Sequence, residues 1–299
     1  MNYKGIERKK ARWGWVFVTP AILMFLLFSL YPMLNALYNT FFNIKLLSKR
    51  PPKFVGLDNY IYILTSHNFW NSMRATLVFT LCAFIPLTLV SLVLGLSMTA
   101  RKKTSKAFQL IYYSPAVLSS VVAALIWMLI FDPRGIANGF VNTIFNTPGI
   151  NHNWLTDPLK LQMSTAMIYI WKYIGYFTII YITGIAKIPD SVLEAATIDG
   201  SSRFQIIMRI IVPLLRPTTA MISIVAMLNC LKSFSTQYLF MQRGAPVEPI
   251  NVVTLNIYNT AMRDLRISVA CVMSIILFII MMSLTLLRMK VSAKDEISY

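Results

Sequence analysis

Eleven acids are all this chain offers for acid–base chemistry or metal ligation: Glu7, Asp58, Asp132, Asp157, Asp190, Glu194, Asp199, Glu248, Asp264, Asp295 and Glu296. The two histidines, His67 and His152, are too far apart in sequence for a metal-ligand spacing. Cys82, Cys230 and Cys271 form no CxxC pair and read as small packing residues. No Ser/His/Asp or Cys/His set has the histidine it needs, and no G-x-x-x-x-G-K-[ST] phosphate loop occurs. These residues point to no catalytic site, no metal and no cofactor held by this chain.

Two other groupings carry chemistry. Lys172 and Lys232 each stand alone in a long apolar stretch. A charge at mid-membrane costs roughly 2.5–3.5 kcal/mol on insertion scales and so faces a cavity or a partner. At about 1.5 Å per helical residue, Lys172 lies ~18 Å from Lys160 and Lys232 ~16 Å from Arg243, both well inside the core. Trp171, Tyr173 and Tyr176 flank the first; Ser233, Ser235, Thr236, Gln237 and Tyr238 flank the second. Aromatic faces with hydroxyls and amides suit a sugar. Trp171, Lys172, Tyr176, Lys232, Ser235, Gln237 and Tyr238 are therefore candidates for a substrate pathway. The alternative is that each lysine snorkels to an interface or pairs with a carbonyl of a partner chain.

The elements that must position these groups follow from composition. Hydrophobic residues make up 57% of the 299 and charged residues 13%, with a mean hydropathy of +0.62. An ordinary soluble domain carries about 25% charge, so this chain is read as membrane-embedded. Stretches of about 20 apolar residues suffice to span, and six are found: 14–41, 75–100, 107–131, 161–186, 217–242 and 267–287. The fold class is all-α and polytopic. The first span is too long for a signal-peptide core and is read as retained. Residues 135–156 have loop chemistry, and 59–73 read as an amphipathic helix at the interface.

Charge sets the orientation. With the N-terminus inside, sixteen of the 28 basic residues are cytoplasmic: Lys4, Arg8, Lys9, Lys10 and Arg12; Arg101, Lys102, Lys103 and Lys106; Lys187, Arg203, Arg209 and Arg216; Arg288, Lys290 and Lys294. Both termini are thereby placed in the cytoplasm, as tails over 1–12 and 291–299 around a transmembrane domain over 13–290. The net charge of +17 is thus a topology signal and not a nucleic-acid footprint. The patch Lys45, Lys49, Arg50 and Lys53 runs against the rule.

The cytoplasmic loop 187–216 is the most specific segment. Ser191-x-x-Glu194 fits a capping box, with Asp190 as a competing cap, for a helix over 191–199. Gly200 stops that helix, and a second runs from Ser201 or Ser202 to Pro213. By physics alone this is equally an ordinary capped amphipathic loop. The literal residues Glu194-Ala195-Ala196, Gly200 and Ile210-x-Val212-Pro213 resemble the EAA motif of bacterial ABC importer permeases, with Val212 where leucine is usual. The string EAATIDGSSRFQ is similar to the carbohydrate-uptake branch of maltose type and glycerol-phosphate type. Phe54 to Tyr60, Ser114-Pro115 and Trp171-Lys172 add to the resemblance, which covers most of 13–290.

The resemblance implies a type I importer permease whose first short cytoplasmic helix couples to an ATPase through Glu194, Ala195, Ala196, Asp199 and Gly200. It implies a second homologous permease, two ATPase subunits that hold the ATP and magnesium, and an extracellular or periplasmic solute-binding protein. The location is the bacterial plasma membrane. The solute is small and polar, a mono- or oligosaccharide, with glycerol 3-phosphate or another polyol phosphate as the alternative. Related permeases often read Phe-Lys-x-Phe-Asp in the fifth span; here Leu231-Lys232-Ser233-Phe234-Ser235 lacks the acid. A secondary carrier lacks its usual intramembrane carboxylate here, and a membrane-anchored enzyme lacks a catalytic set.

Overall fold

The computed structural model describes residues 3–48, 51–99 and 105–296. Lys49 and Arg50 of the patch expected outside, Arg101, Lys102 and Lys103 of the loop expected in the cytoplasm, the expected span end at 100 and the tail from 297 lie outside the described residues. The expected domain over 13–290 falls into two compact units. One combines the chain up to Ser66 with Ile257–Ile276; the other combines His67–Asn256 with the chain from Leu277 onward.

The first unit begins with α1 (Tyr3–Phe25), joined by a π-helical turn at Leu26–Leu30 to α2 (Tyr31–Asn39). Its apolar stretch Trp13–Asn39 is long enough to cross a membrane. β1 (Phe42–Asn43) pairs antiparallel with β2 (Lys53–Phe54), and α3 covers Asp58–Leu64. The Phe54–Tyr60 string holds this turn together. Asn59 Nδ2 donates to the carbonyls of Thr40 (2.7 Å) and Phe42 (2.9 Å), and the Tyr60 hydroxyl to Thr40 Oγ1 (3.0 Å). Gly56 takes the left-handed φ of +56° that the turn requires. The interfacial helix expected over 59–73 is not one element. The chain breaks at Thr65–Ser66, because α4 (His67–Thr99) starts early and carries Arg74 in its second turn.

The second unit is organised around α8 (Pro158–Ile185), entered through Asp157, whose Oδ1 accepts from Lys160 N at 3.0 Å. Before it come α5 (Ser105–Val117), α6 (Ser120–Ile130) and α7 (Ile136–Phe145). α7 corrects the expectation of loop over 135–156: ten residues are helical, too few to span. After α8 come α9 (Asp190–Ile198), α10 (Arg203–Ile206), a π-helical turn at Ile207–Ile211, and α11 (Val212–Leu214). The remaining helices are α12 (Arg216–Leu231), α13 (Ser235–Gln242), α14 (Val247–Ile250), α15 (Val253–Met262) and α16 (Ile267–Glu296).

Two of the six expected spans are not straight helices. The span over 107–131 is α5 plus α6, bent by 101°. Pro115 lies in the last turn of α5, and Ser119 leaves the helix with an extended backbone (ψ 148°). Its Oγ accepts from Val122 N at 3.2 Å, capping α6. The span over 217–242 is interrupted at Lys232–Phe234, between α12 and α13. The other four run unbroken through their apolar windows apart from the π-turn in the first.

Without a hydrophobic force between helices in lipid, close packing depends on small residues. α8 supplies them. A Cβ on Gly175 would stand 2.0 Å from the Tyr112 carbonyl oxygen of α5, and one on Gly184 would stand 2.8 Å from Thr218 Oγ1 of α12. Gly95 of α4 plays the reciprocal part, 2.9 Å from Tyr181 Cβ of α8. Phe79, Leu87, Phe177, Tyr181, Leu215 and Ile222 fill the core between these helices. Gly175→Ala is expected to destabilise the protein by about 1–3 kcal/mol through overpacking against backbone that has no room to yield. Gly139→Ala, where a Cβ meets nothing within 4 Å, is the control. Thermal unfolding in detergent measures both, and equal melting temperatures would refute the backbone contact.

Candidate functional site

The two breaks and the two intramembrane lysines meet at one place. A cavity of about 360 Å³ in the second unit is walled by Lys172, Tyr169 and Tyr173 of α8 and by Asn229 of α12. Lys232, Ser233 and Phe234 of the helix break, Ser120 of α6, Ser235 and Thr236 of α13, and Ile168 of α8 complete it. Irregular backbone at membrane depth is tolerated where it lines a cavity, and both breaks do so here.

Lys172 is 7% exposed. Its ammonium donates to Ser120 Oγ at 2.7 Å and lies 5.2 Å from the centre of the Tyr173 ring. The lysine of α8 is thereby tied to the first residue of α6, beyond the bend. Lys232 ends α12 and is exposed. The backbone around it is satisfied in part from elsewhere, the Ser233 carbonyl accepting from the Thr254 hydroxyl of α15; the Ser233 side chain in turn donates to Gln237 Oε1 at 3.1 Å.

Of the candidate pathway residues, Lys172, Lys232 and Ser235 share this cavity. The other four do not border it. Trp171 packs edge-on against Trp127 of α6 at 5.7 Å, and Tyr176 packs edge-on against Phe177. Gln237 is fully buried, and Tyr238 stacks on Phe234 at 5.2 Å as a support behind the wall. Helical geometry accounts for Trp171, which points about 100° away from Lys172; Tyr176 follows the lining face one turn on but is exposed beyond the cavity. Ser120, Tyr169 and Asn229 come from outside the expected set. Ser119-Ser120 just after Pro115 is a helix-start signal inside an apolar run, the one clue to the bend that the sequence offers.

The coupling segment also departs from expectation. α9 starts after Pro189 with no side-chain cap, so the Ser191/Glu194 box does not form. The box forms one helix later: Ser202 Oγ accepts from Gln205 N at 3.3 Å, and Gln205 Oε1 from Ser202 N at 2.8 Å. Gly200 between them has φ +76°. Glu194, Ala195, Asp199 and Gly200 are exposed, but Ala196 is only 6% exposed and turns toward the chain itself. Ile198, 85% exposed at the tip, and Phe204 are apolar groups on this protrusion that the motif does not single out.

The Lys172–Ser120 contact has an asymmetric consequence. Removing the hydroxyl leaves a buried ammonium short of a partner, whereas replacing the lysine by an apolar chain of similar length leaves only a solvable hydroxyl. Ser120→Ala is expected to destabilise by about 1–3 kcal/mol and Lys172→Met by less. Thermal unfolding of the purified protein decides; the reverse order would mean that this contact does not hold α6 to α8.

The profile of the family described as binding-protein-dependent transport system inner membrane component matches residues 88–292, which contain the coupling segment and the whole cavity wall. The chain is 26% identical over 291 residues to the probable starch degradation products transport system permease protein AmyD of Thermoanaerobacterium thermosulfurigenes, covering 97% of each. It is 26% identical to the trehalose/maltose transport system permease protein MalF of Thermococcus litoralis, covering 96% of this chain and 95% of that one. Its fold matches, with a TM-score of 0.84 at 24% identity and 98% coverage of both chains, a crystal structure of a bacterial ABC transporter involved in the import of the acidic polysaccharide alginate. The chain belongs to the family of binding-protein-dependent transport system inner membrane components.

Proposed function

We propose that this chain is a multi-pass permease of the bacterial plasma membrane that forms half of the translocation pathway of an ATP-driven carbohydrate importer. The observation that carries the reading is a polar cavity at two helix breaks within spans of a binding-protein-dependent transport component. Tyr169, Tyr173 and Phe234 offer ring faces, and Ser120, Asn229, Ser233, Ser235 and Thr236 offer hydrogen bonds to sugar hydroxyls. Relatives named for starch degradation products and for trehalose and maltose support a mono- or oligosaccharide. A second, homologous permease completes the pathway, and a solute-binding protein on the outer face delivers the solute.

Two ATPase subunits bind ATP and magnesium and hydrolyse the ATP; this chain contributes the contact that receives the motion. Glu194 and Ala195 of α9, with Asp199 and Gly200 just beyond its end, form the exposed edge, with Ile198 at its tip, while Ala196 packs beneath as a spacer. Closure of the ATPases against α9 passes through α10, α11 and α12 to Lys232 at the cavity. Alternating access follows from that connection.

Two measurements test this reading. Single cysteines at Ala195 and Ile198 are expected to crosslink to the ATPase subunit in the assembled complex, and a cysteine at Ala196 far less. Failure of both exposed positions would remove α9 from the coupling contact. In proteoliposomes, Lys232→Met is expected to lower carbohydrate uptake about tenfold, the scale of one charge-assisted hydrogen bond. Unchanged uptake kinetics would take Lys232 out of the pathway.

A further inference from the structure

Every charge on the cavity wall has the same sign. Lys172 and Lys232 place two ammonium groups there, and among the described residues no acid borders it. The helix breaks add to this. Ser120 opens the eleven-residue α6, and Ser235 and Thr236 open the eight-residue α13, at the same wall. A helix start carries about half a positive charge and amides without intrahelical acceptors. Half-helices that begin at membrane depth direct that end at anionic solute groups.

Lys172 is the most telling member. It has given up nearly all its hydration, and the groups that replace it, the Ser120 hydroxyl and the Tyr173 ring, are neutral. An ammonium has three donors, and one is taken by Ser120. A buried charge with neutral partners is incompletely compensated for its lost water. A neutral sugar supplies acceptors but no charge; a carboxylate or phosphate supplies both. Related permeases often set an aspartate three residues after the fifth-span lysine; here Ser235 holds that place, so neither Lys172 nor Lys232 meets a compensating acid on this wall.

We propose that this cavity recognises an anionic solute, one carrying a carboxylate or a phosphate, through Lys172, Lys232 and the starts of α6 and α13. The inference rests on the pathway reading above and specifies the charge class of what passes.

The test uses the assembled transporter, solubilised with its partner permease and ATPases but without the binding protein, so that the membrane site alone selects. Equilibrium binding is measured for three matched pairs: digalacturonate and its dimethyl ester, maltose 6-phosphate and maltose, glycerol 3-phosphate and glycerol. At least one acidic member is expected to bind about tenfold more tightly than its neutral twin, as one charge-assisted contact provides. Lys232→Met and Lys172→Met should each abolish that preference. Ser235→Asp, which restores a negative charge to the wall without removing a lysine, should weaken it. Neutral twins binding as tightly as acidic ones, or a preference that survives both lysine substitutions, would overturn the inference and leave the carbohydrate reading standing. Tight binding of glycerol 3-phosphate alone would uphold anion selection and sink the carbohydrate reading. Binding of none of the six would overturn both.

Discussion

Backbone polar groups within a bilayer have no water to bond to, and this constraint governs the cavity. A straight helix satisfies its own amides and carbonyls; a broken one exposes them. The chain breaks two spans, at Leu118–Ser119 and at Lys232–Phe234, and brings both breaks to one wall. Side chains from elsewhere then supply what the helices lost. Ser119 Oγ accepts from the Val122 amide at the start of α6 and the Thr254 hydroxyl donates to the Ser233 carbonyl, while Lys172 of α8 bonds the Ser120 side chain across the bend. Polar residues that look out of place in an apolar sequence are thus the partners that make the irregular backbone tenable.

α8 is the element against which this arrangement is set. Its Gly175 admits the backbone of α5 and its Gly184 the Thr218 side chain of α12 to contact distance, and Ser91 Oγ of α4 donates to its Ile174 carbonyl at 3.2 Å. Gly175 and Lys172 lie three residues apart, nearly one helical turn. The close approach of Tyr112 at Gly175 therefore places the end of α5 so that the bend delivers Ser120 to the lysine. Packing and site share the same turn of helix. Directly after α12 enters the membrane, Thr218 meets Gly184, and the same helix ends at Lys232. The cytoplasmic segment and the cavity are therefore two ends of one continuous stretch of chain.

The EAA-like segment shows how a motif and a surface differ. Glu194-Ala195-Ala196 reads as a unit, yet successive helix residues point in directions about 100° apart. Ala195 faces outward, while Ala196 is turned in against the chain. The same geometry lifts Ile198 to the exposed tip, although nothing in the string marks it. The displaced capping box has a similar cause. Pro189, with its φ near −61°, starts α9 without help from Ser191, whereas α10 follows the left-handed Gly200 and needs Ser202 and Gln205 to close its first turn.

By itself the sequence determined the all-helical membrane character, the apolar stretches long enough to cross and the stop at Gly200, and it picked out the EAA-like segment and the two lysines that the fold brings to one cavity. These follow from hydropathy, charge placement and short-range spacing, which are local properties. Only the tertiary structure decided that the third span bends by 101°, that the fifth is interrupted at Lys232, and that Lys172, Lys232 and Ser235 share one cavity while Trp171, Tyr176, Gln237 and Tyr238 stand aside. The reason is physical. An apolar run says that a segment prefers lipid to water, but where it breaks, and which face it turns inward, depends on neighbours more than fifty residues away that must satisfy its freed backbone and fit its glycines.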